Sequence, residues 1–592
     1  MSKSDTNSPS KSKLKELLSL YQESKFEEAL NLSKSIISQF PKHQFSWKVL
    51  SAVYHQKGNL KKAITANQKA LIIDPQDPDA HNNLGVGLLE SGSFKKAELS
   101  FKEALVLKPD YSEAYTNLGV VFQKLGKFDE AEKYHRKAIF FSPTNVPAYI
   151  NLGVTLKELC RFEEAVENYN KAIKLNPNSS TAYTNRNFCL NYSPNWSSTF
   201  IYQQHLEFGN QFGNKQNNNF FHLNKKIISK KKLRIGYVSG DFRKHSVAFF
   251  FEPLLDYHDA NLFETFCYYN NNIFDNFTDI IKNKTDNWRN IFSISDVDVS
   301  DIIKNDNIDI LIDLSGHTGQ NRLKLFALKP APIQITWLGY PNTTGLSEID
   351  YRLTDVIADP IGISDEFHTE KLYRLPRGFL CYKGNNSVSL PNDIPQIKNR
   401  FVTYGSFNNF LKVTPDVIKV WSKILKFSPT SRLILKGSDI NQNASQHIET
   451  FAKEGISEDR ISFYQRLPKI SEHLELYNSI DIALDTFPYN GVTTTCEALW
   501  MGVPVITLLG KQHASRVGAS ILTNVGLEEF IANDIDNYIE MATTFAKKID
   551  LLEKMRKELR EKMLKSSLCS GSIFAKEIER AYKEIWSKHV NS

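Results

Sequence analysis

Hydrophobic and polar positions follow two different rhythms along this chain. In the first third, apolar residues at helical spacing repeat inside a longer period of 34. Pro41, Pro75, Pro109, Pro143 and Pro177 recur at that interval. So do Ala63, Ala97, Ala131 and Ala165, and again Ala70, Ala104, Ala138 and Ala172. A fixed period of this length predicts stacked pairs of helices in which the alanines permit close approach. Gly58, Gly92 and Gly126 mark the turn inside each pair, with Cys160 in the next copy, and the proline ends each unit because it cannot continue the second helix. About four full copies follow a partial one from Leu14 to Phe40.

From Leu233 the rhythm changes to short apolar runs, each followed by a Gly, Thr or Asp loop and then a helical pattern. LRIGYVSGDF, IDILIDLSGHT, PIQITWLGYP and IDYRLTD form one group. FVTYGSFNNFLKVTP, SRLILKG, Phe463 to Arg466, Ile480 to Leu484 and Pro504 to Leu508 form another. Strands alternating with helices predict parallel sheets covered on both faces, here two doubly wound α/β lobes with a cleft between them. The expected divisions are a disordered start (1–13), the all-α repeat solenoid (14–190), a connector (191–232), a first lobe (233–395) and a second lobe (396–592). The connector carries NKQNNN and the basic runs Lys225-Lys226 and Lys230 to Lys232, read as solvated linker charge. A final helix with Phe574, Ile578, Ala581, Tyr582 and Ile585 on one face is expected to pack back on the first lobe.

The stretch Ile480 to Ser520 has the layout of a ligand site. A buried strand runs into the Phe487 to Val492 turn, then a helix from Thr494 to Met501 ended by Gly502, then a second strand. In such units ligands sit beyond the carboxyl ends of the strands, and the free N–H groups at the helix start attract phosphate. Thr493, Thr494 and Thr495 offer hydroxyls there, and Glu497 lies one turn further in, a pattern that suits a diphosphate and a ribose diol. The same letters also read as a capping box, Thr494-x-x-Glu497, which needs no ligand. In the first lobe, His245, His317 and Asn342-Thr343-Thr344 fall in loops at strand ends and are expected to form a polar pocket wall.

Composition narrows the partners. The chain has 592 residues, too many for one core, and its 73 basic against 66 acidic residues leave a charge of +7. That excess is small for the length and does not imply nucleic acid. No apolar run approaches a membrane span and the start lacks the apolar core of a signal peptide, so a cytoplasmic protein without a membrane partner is expected. Six scattered cysteines with no CxxC pair indicate neither zinc nor disulfides. Asp296-x-Asp298 and Asp534-x-Asp536 lie in polar stretches with no strand leading into them, and no metal is proposed.

One polar position also repeats: Asn83, Asn117, Asn151 and Asn185, early in the first helix of successive units. A row of carboxamides can bond the backbone of an extended peptide regardless of its side chains, at about 1 kcal/mol net per bond. The alternative is a consensus residue that spaces the stack, and Val49 already breaks the row.

The repeats resemble the tetratricopeptide repeat. Together with LRIGYVSGDFRKHSV, LSGHTGQNRL, APIQITWLGYPNTTG, YGSFNNFLKVTP and DTFPYNGVTTTCEALWMGVPVITL, they make nearly the whole chain resemble the protein O-linked N-acetylglucosamine transferase and SPINDLY family. The resemblance implies a two-lobed GT-B enzyme, inverting and metal-independent. It would move a sugar from a nucleotide diphosphate sugar, with no further cofactor, to Ser/Thr of intracellular proteins recruited by the repeats. It also implies roles. Lys412 stands at the donor diphosphate, Thr493 and Thr494 at the phosphate-binding helix start, Glu497 at the ribose and His473 beside the base. His245 faces the reacting centre as general base or positioning group, and His317 and Thr495 are counted with the donor-binding set. Val492 stands where the N-acetylglucosamine transferases typically have histidine, and TTTCEALWMGVP is closer to the SPINDLY branch. UDP-N-acetylglucosamine is favoured narrowly as donor over GDP-fucose. The reading from a different class is a repeat scaffold with a decayed catalytic region.

Overall fold

The computed structural model describes residues 8–214, 232–385, 388–389, 391–437 and 440–591, the side chains of 440–443 excepted. The runs Lys225-Lys226 and Lys230-Lys231 lie outside the described residues. Contacts divide the chain into two compact units, 1–176 and 177–592.

The first unit is the repeat array. Helix pairs Gln44–Gln56 with Leu60–Ile73, Pro78–Glu90 with Phe94–Leu107, Ser112–Lys124 with Phe128–Phe141 and Val146–Glu158 with Phe162–Leu175 follow an opening pair, Lys11–Gln22 and Phe26–Gln39. The recurring alanines are buried, as close helix approach requires. Gly58, Gly92 and Gly126 take φ near +70°, the left-handed region a tight inter-helix turn needs, and Cys160 adopts it too at φ 56°. Residues expected to precede any element instead include the cap Ser10, whose hydroxyl accepts from Lys13 N–H at the start of the first helix.

The second unit holds two parallel sheets. The first lobe comprises β1 (Leu233–Ser239), β2 (Phe263–Tyr269), β3 (Asn287–Asn290), β4 (Ile310–Asp313), β5 (Ile333–Thr336), β6 (Tyr351–Asp355) and β7 (Lys371–Leu375), in the order β3-β2-β1-β4-β5-β6-β7. The second comprises β8 (Thr403–Ser406), β9 (Arg432–Gly437), β10 (Ile461–Gln465), β11 (Ile482–Leu484), β12 (Val505–Leu508) and β13 (Ile531–Ala532), in the order β10-β9-β8-β11-β12-β13. Both orders reverse direction once, between β1 and β4 and between β8 and β11. A crevice opens at such a switch point beyond the strand carboxyl ends.

Two elements tie this unit together. The helix Gly571–Asn591 returns from the second lobe to the first, with Phe574 5.9 Å from Trp337 between ring centres, the Tyr582 hydroxyl 3.3 Å from that of Tyr237, and Glu579 paired with His258 at 2.9 Å. Over its described residues 191–214, the expected connector is a packed element. Helix Ser198–Phe212 docks on the first lobe through His205, whose Nε2 lies 2.7 Å from the Tyr340 hydroxyl. Backbones meet so closely there that a Cβ on Gly209 would come within 1.8 Å of the Gly345 carbonyl oxygen. Helix Ser180–Cys189, expected among the repeats, belongs to this unit as well.

Candidate active site

A cleft of about 350 Å³ lies where the two lobes face each other. The first lobe contributes Lys244, His245, Ser246 and Phe249. The second contributes Phe407, Asn408, Lys436, Arg466, His473, Thr493, Thr494 and Glu497, among others. Each comes from the carboxyl end of a strand or from the helix that follows it. The lysine ammonium of Lys244 donates to the Pro468 carbonyl at 2.8 Å, holding the two walls together at one end.

Helix Thr493–Trp500 starts at this cleft, with Val492 as its N-cap and no side-chain capping bond. The capping box is not formed. Thr494 donates its hydroxyl to Asn408 Oδ1 at 2.8 Å, and Glu497 turns away to accept from His473 Nε2 at 2.8 Å and from the Tyr477 hydroxyl at 3.4 Å. Among the described residues Thr493 Oγ1 is buried without a hydrogen-bond partner, beside free helix N–H groups. A side chain at Gly491 would come within 2.5 Å of Thr494 Oγ1, so the turn reaches the helix start only without one.

His245 caps helix Ser246–Tyr257 by accepting the Val247 N–H at its Nδ1, 3.3 Å away. The neutral ring then carries its proton on Nε2. Burial lowers its pKa, Asp241 at 3.6 Å opposes this, and Arg243 and Arg466 reinforce it.

Lys412 sits beside the cleft and does not line it. Its ammonium donates to the Asn490 carbonyl at 2.7 Å and lies 3.8 Å from the centre of the Tyr489 ring. Burial lowers its pKa to about 8 against the pull of Asp485, whose own carboxyl burial raises to about 6. Asp485 fixes the turn by accepting from the Gly491 and Thr486 N–H groups and the Thr507 hydroxyl.

Two expected site residues lie elsewhere. His317 is fully buried, with Nε2 2.8 Å from the Thr344 carbonyl and its ring against His205, Phe208 and Tyr340. Thr495 faces inward at 2% exposure. The expected wall Asn342-Thr343-Thr344 is buried too: both threonine hydroxyls donate to Glu370, and Asn342 donates to Asn191. Helix Ser198–Phe212 covers that edge, and these groups bond one another apart from His317 Nδ1, which is buried without a partner among the described residues. The Asp-x-Asp strings are likewise explained locally, Asp296 by Arg322 at 2.7 Å and Asp534 as a helix cap.

Sequence reasoning missed Lys436 and Arg466. Lys436 is 8% exposed at the end of β9, its Nζ 2.5 Å from His473 Nδ1, and burial lowers its pKa to about 8. A lysine closing the apolar run Leu433 to Leu435 at its carboxyl end was the available signal.

The profile of glycosyl transferase family 41 matches residues 211–392 and 391–578, more than half of the chain. The chain belongs to glycosyl transferase family 41. Tetratricopeptide repeat profiles match 52–92, 87–126, 112–145 and 146–179 ahead of the family 41 region. A Hordeum vulgare protein named "Probable UDP-N-acetylglucosamine--peptide N-acetylglucosaminyltransferase SPINDLY" is 38% identical over 412 residues, 69% of this chain and 43% of the relative. The Arabidopsis thaliana protein of the same name ending in SEC is 33% identical over 373 residues, 61% of this chain and 38% of that one. This chain thus spans less than half the length of these curated relatives. A solved structure titled as a lysine-to-methionine mutant of Thermobaculum terrenum O-GlcNAc transferase is 32% identical. It superposes with a TM-score of 0.79 over 87% of this chain and 98% of its own.

Proposed function

We propose that this family 41 member transfers a sugar from a nucleoside diphosphate sugar to Ser/Thr hydroxyls of proteins in the cytoplasm, by inverting, metal-independent displacement. The observation that carries the reading is the Thr493 hydroxyl, partnerless among the described residues, at a free helix start that lines the same cleft as His245. In the step proposed, the bond from the anomeric carbon to the diphosphate oxygen breaks as the acceptor hydroxyl bonds to that carbon. The leaving diphosphate gains negative charge, and the helix N-terminus, the threonine hydroxyls and the ammonium of Lys412 are the groups that receive it. Lys412 reaches the diphosphate by leaving the Asn490 carbonyl. Glu497 has one carboxylate oxygen engaged by His473, and the other accepts from a ribose hydroxyl.

His245 enters as a donor. With Nδ1 accepting from Val247, its Nε2–H points hydrogen-bonding capacity outward, which orients an oxygen of donor or acceptor and does not remove a proton. The repeat asparagines of the first unit, Asn83, Asn117 and Asn151, are proposed to hold the acceptor's backbone. Asn117 also donates to Asn82 at 3.0 Å, which leaves its carbonyl oxygen for a peptide N–H.

UDP-N-acetylglucosamine is the donor proposed, supported by the printed names of the relatives, with GDP-fucose the competitor that the SPINDLY-like helix start raises. Incubating the purified chain with each donor and a protein acceptor tests this by nucleotide release and acceptor mass. Release and transfer with UDP-N-acetylglucosamine support the reading, and transfer from GDP-fucose alone would replace the donor. Neither release nor binding with any nucleoside diphosphate sugar would favour a decayed scaffold.

A further inference from the structure

Lys436 is a buried cation with bonding capacity to spare. Its ammonium has three N–H donors, and among the described residues His473 Nδ1 is its single hydrogen-bond partner. The remaining contact is the face of Phe407, 5.5 Å away. A desolvated ammonium with two unused donors is costly unless a ligand takes them. Here those donors belong to a residue that lines the cleft.

The hydrogen-bond chain along the wall orders the site. Lys436 donates to His473 Nδ1, which forces the neutral ring to carry its proton on Nε2, and that proton goes to Glu497. Glu497 lies one turn into the helix whose start carries Thr493 and Thr494. A nucleotide with its diphosphate on the helix start and its ribose on Glu497 therefore extends its base toward His473 and Lys436. Phe249, Phe407, Leu467 and Ile470 supply apolar walls around that end.

We propose that Lys436 is a specificity-determining residue that reads the pyrimidine 4-position or purine 6-position of the base, selecting an oxo group there (uracil or guanine) over an amino group (cytosine or adenine). An ammonium has donors and no acceptor, so it bonds the oxygen of an oxo base and opposes the N–H₂ donor of an amino base. Bridged through His473 to Glu497, it is held by a partner that cannot swing away with the ligand. The selection operates on the same cleft as the proposed glycosyl transfer and rests on that reading.

Calorimetric titration of the full chain with UDP, CDP, GDP and ADP tests it, because UDP and CDP, like GDP and ADP, match in everything the diphosphate and ribose contacts sense. The preferred oxo nucleotide should bind roughly ten- to a hundredfold tighter than the amino nucleotide of its own ring type, the discrimination expected of a charged hydrogen bond. Lys436→Met should bring that ratio close to one, and Lys436→Gln, which offers both donor and acceptor, should admit the amino base better than Lys436→Met does. Equal binding of oxo and amino partners by the unaltered chain overturns the proposal whatever the variants do. So does a loss in Lys436→Met that falls equally on all four, which would place the ammonium on the diphosphate. Failure of the unaltered chain to bind any of the four would instead remove the underlying reading of the cleft.

Discussion

The two lobes share a strand order and carry polar loops on the same edge, yet those edges have opposite fates. On the first lobe, His317, Asn342, Thr343 and Thr344 are covered by helix Ser198–Phe212: His317 packs on the His205 ring and bonds the Thr344 carbonyl, and the other three bond Glu370 and Asn191. On the second, the helix start at Thr493 and the Lys436 ammonium face a cleft with hydrogen-bonding capacity unspent. Polar residues at strand ends thus mark an edge, and only the element that covers it decides whether they become core or site.

Lys412→Ala is expected to have the largest effect. It removes a charge-assisted contact of about 1.5 to 3 kcal/mol, so turnover should fall roughly ten- to a hundredfold or more. Steady-state kinetics checks this. Full activity would mean that the ammonium stays on Asn490 and that the open edge works without it.

Substituting His317 probes the covered edge. His317→Ala should lower stability by about 2 to 4 kcal/mol in denaturant melts, by opening a cavity and orphaning the Thr344 carbonyl, with nucleotide affinity unchanged. Weaker nucleotide binding at unchanged stability would place His317 in the site after all. The same histidine carries a pH signature. Burial holds its folded pKa near 3 and depresses that of His205 as well. Both must be neutral in the folded chain while the unfolded chain protonates near 6.5. Their stabilisation is complete above about pH 6.5 and is lost as pH falls below it toward each ring's depressed folded value, near 3 for His317, at up to about 1.4 kcal/mol per pH unit for each. Melts across pH 7 to 5 should show this decline, and it should be shallower in His317→Phe.

Much of this was legible because periodicity reports packing. The 34-residue period, the strand-and-loop alternation and the terminal helix needed only the apolar pattern, and the Phe487 to Glu497 segment announced its turn and helix by composition. The fate of His317 was not legible, because its covering helix lay in a stretch read as linker: SSTFIYQQHLEFGNQF buries Ile201, His205 and Phe208 at helical spacing beside an Asn/Lys-rich run. Lys436 was missed because one lysine ending a strand looks like any solvated charge until His473, distant in sequence, is placed against it. The choice between capping box and ligand at Glu497 likewise needed the position of His473.

Glu497→Gln should have a smaller effect, keeping the bond from His473 and near-normal melting while weakening nucleotide affinity by roughly three- to tenfold, as a neutral acceptor replaces a charged one at the ribose. Reduced stability with unchanged affinity would return Glu497 to a structural role. The smallest effect belongs to the repeats. Changing Asn83, Asn117 and Asn151 together to Ala should slow transfer to protein acceptors severalfold, leave donor hydrolysis intact and move stability little. Equal loss of both activities would assign the row to the fold.

The most direct measurement is a crystal structure of the chain with UDP or GDP bound. Density for the diphosphate against the helix start at Thr493 and Thr494, the ribose at Glu497 and the base beside His473 and Lys436 is the predicted result. Nucleotide density elsewhere, with the Thr493 hydroxyl and the Lys436 ammonium untouched, would contradict the assignment of the open edge as the donor site.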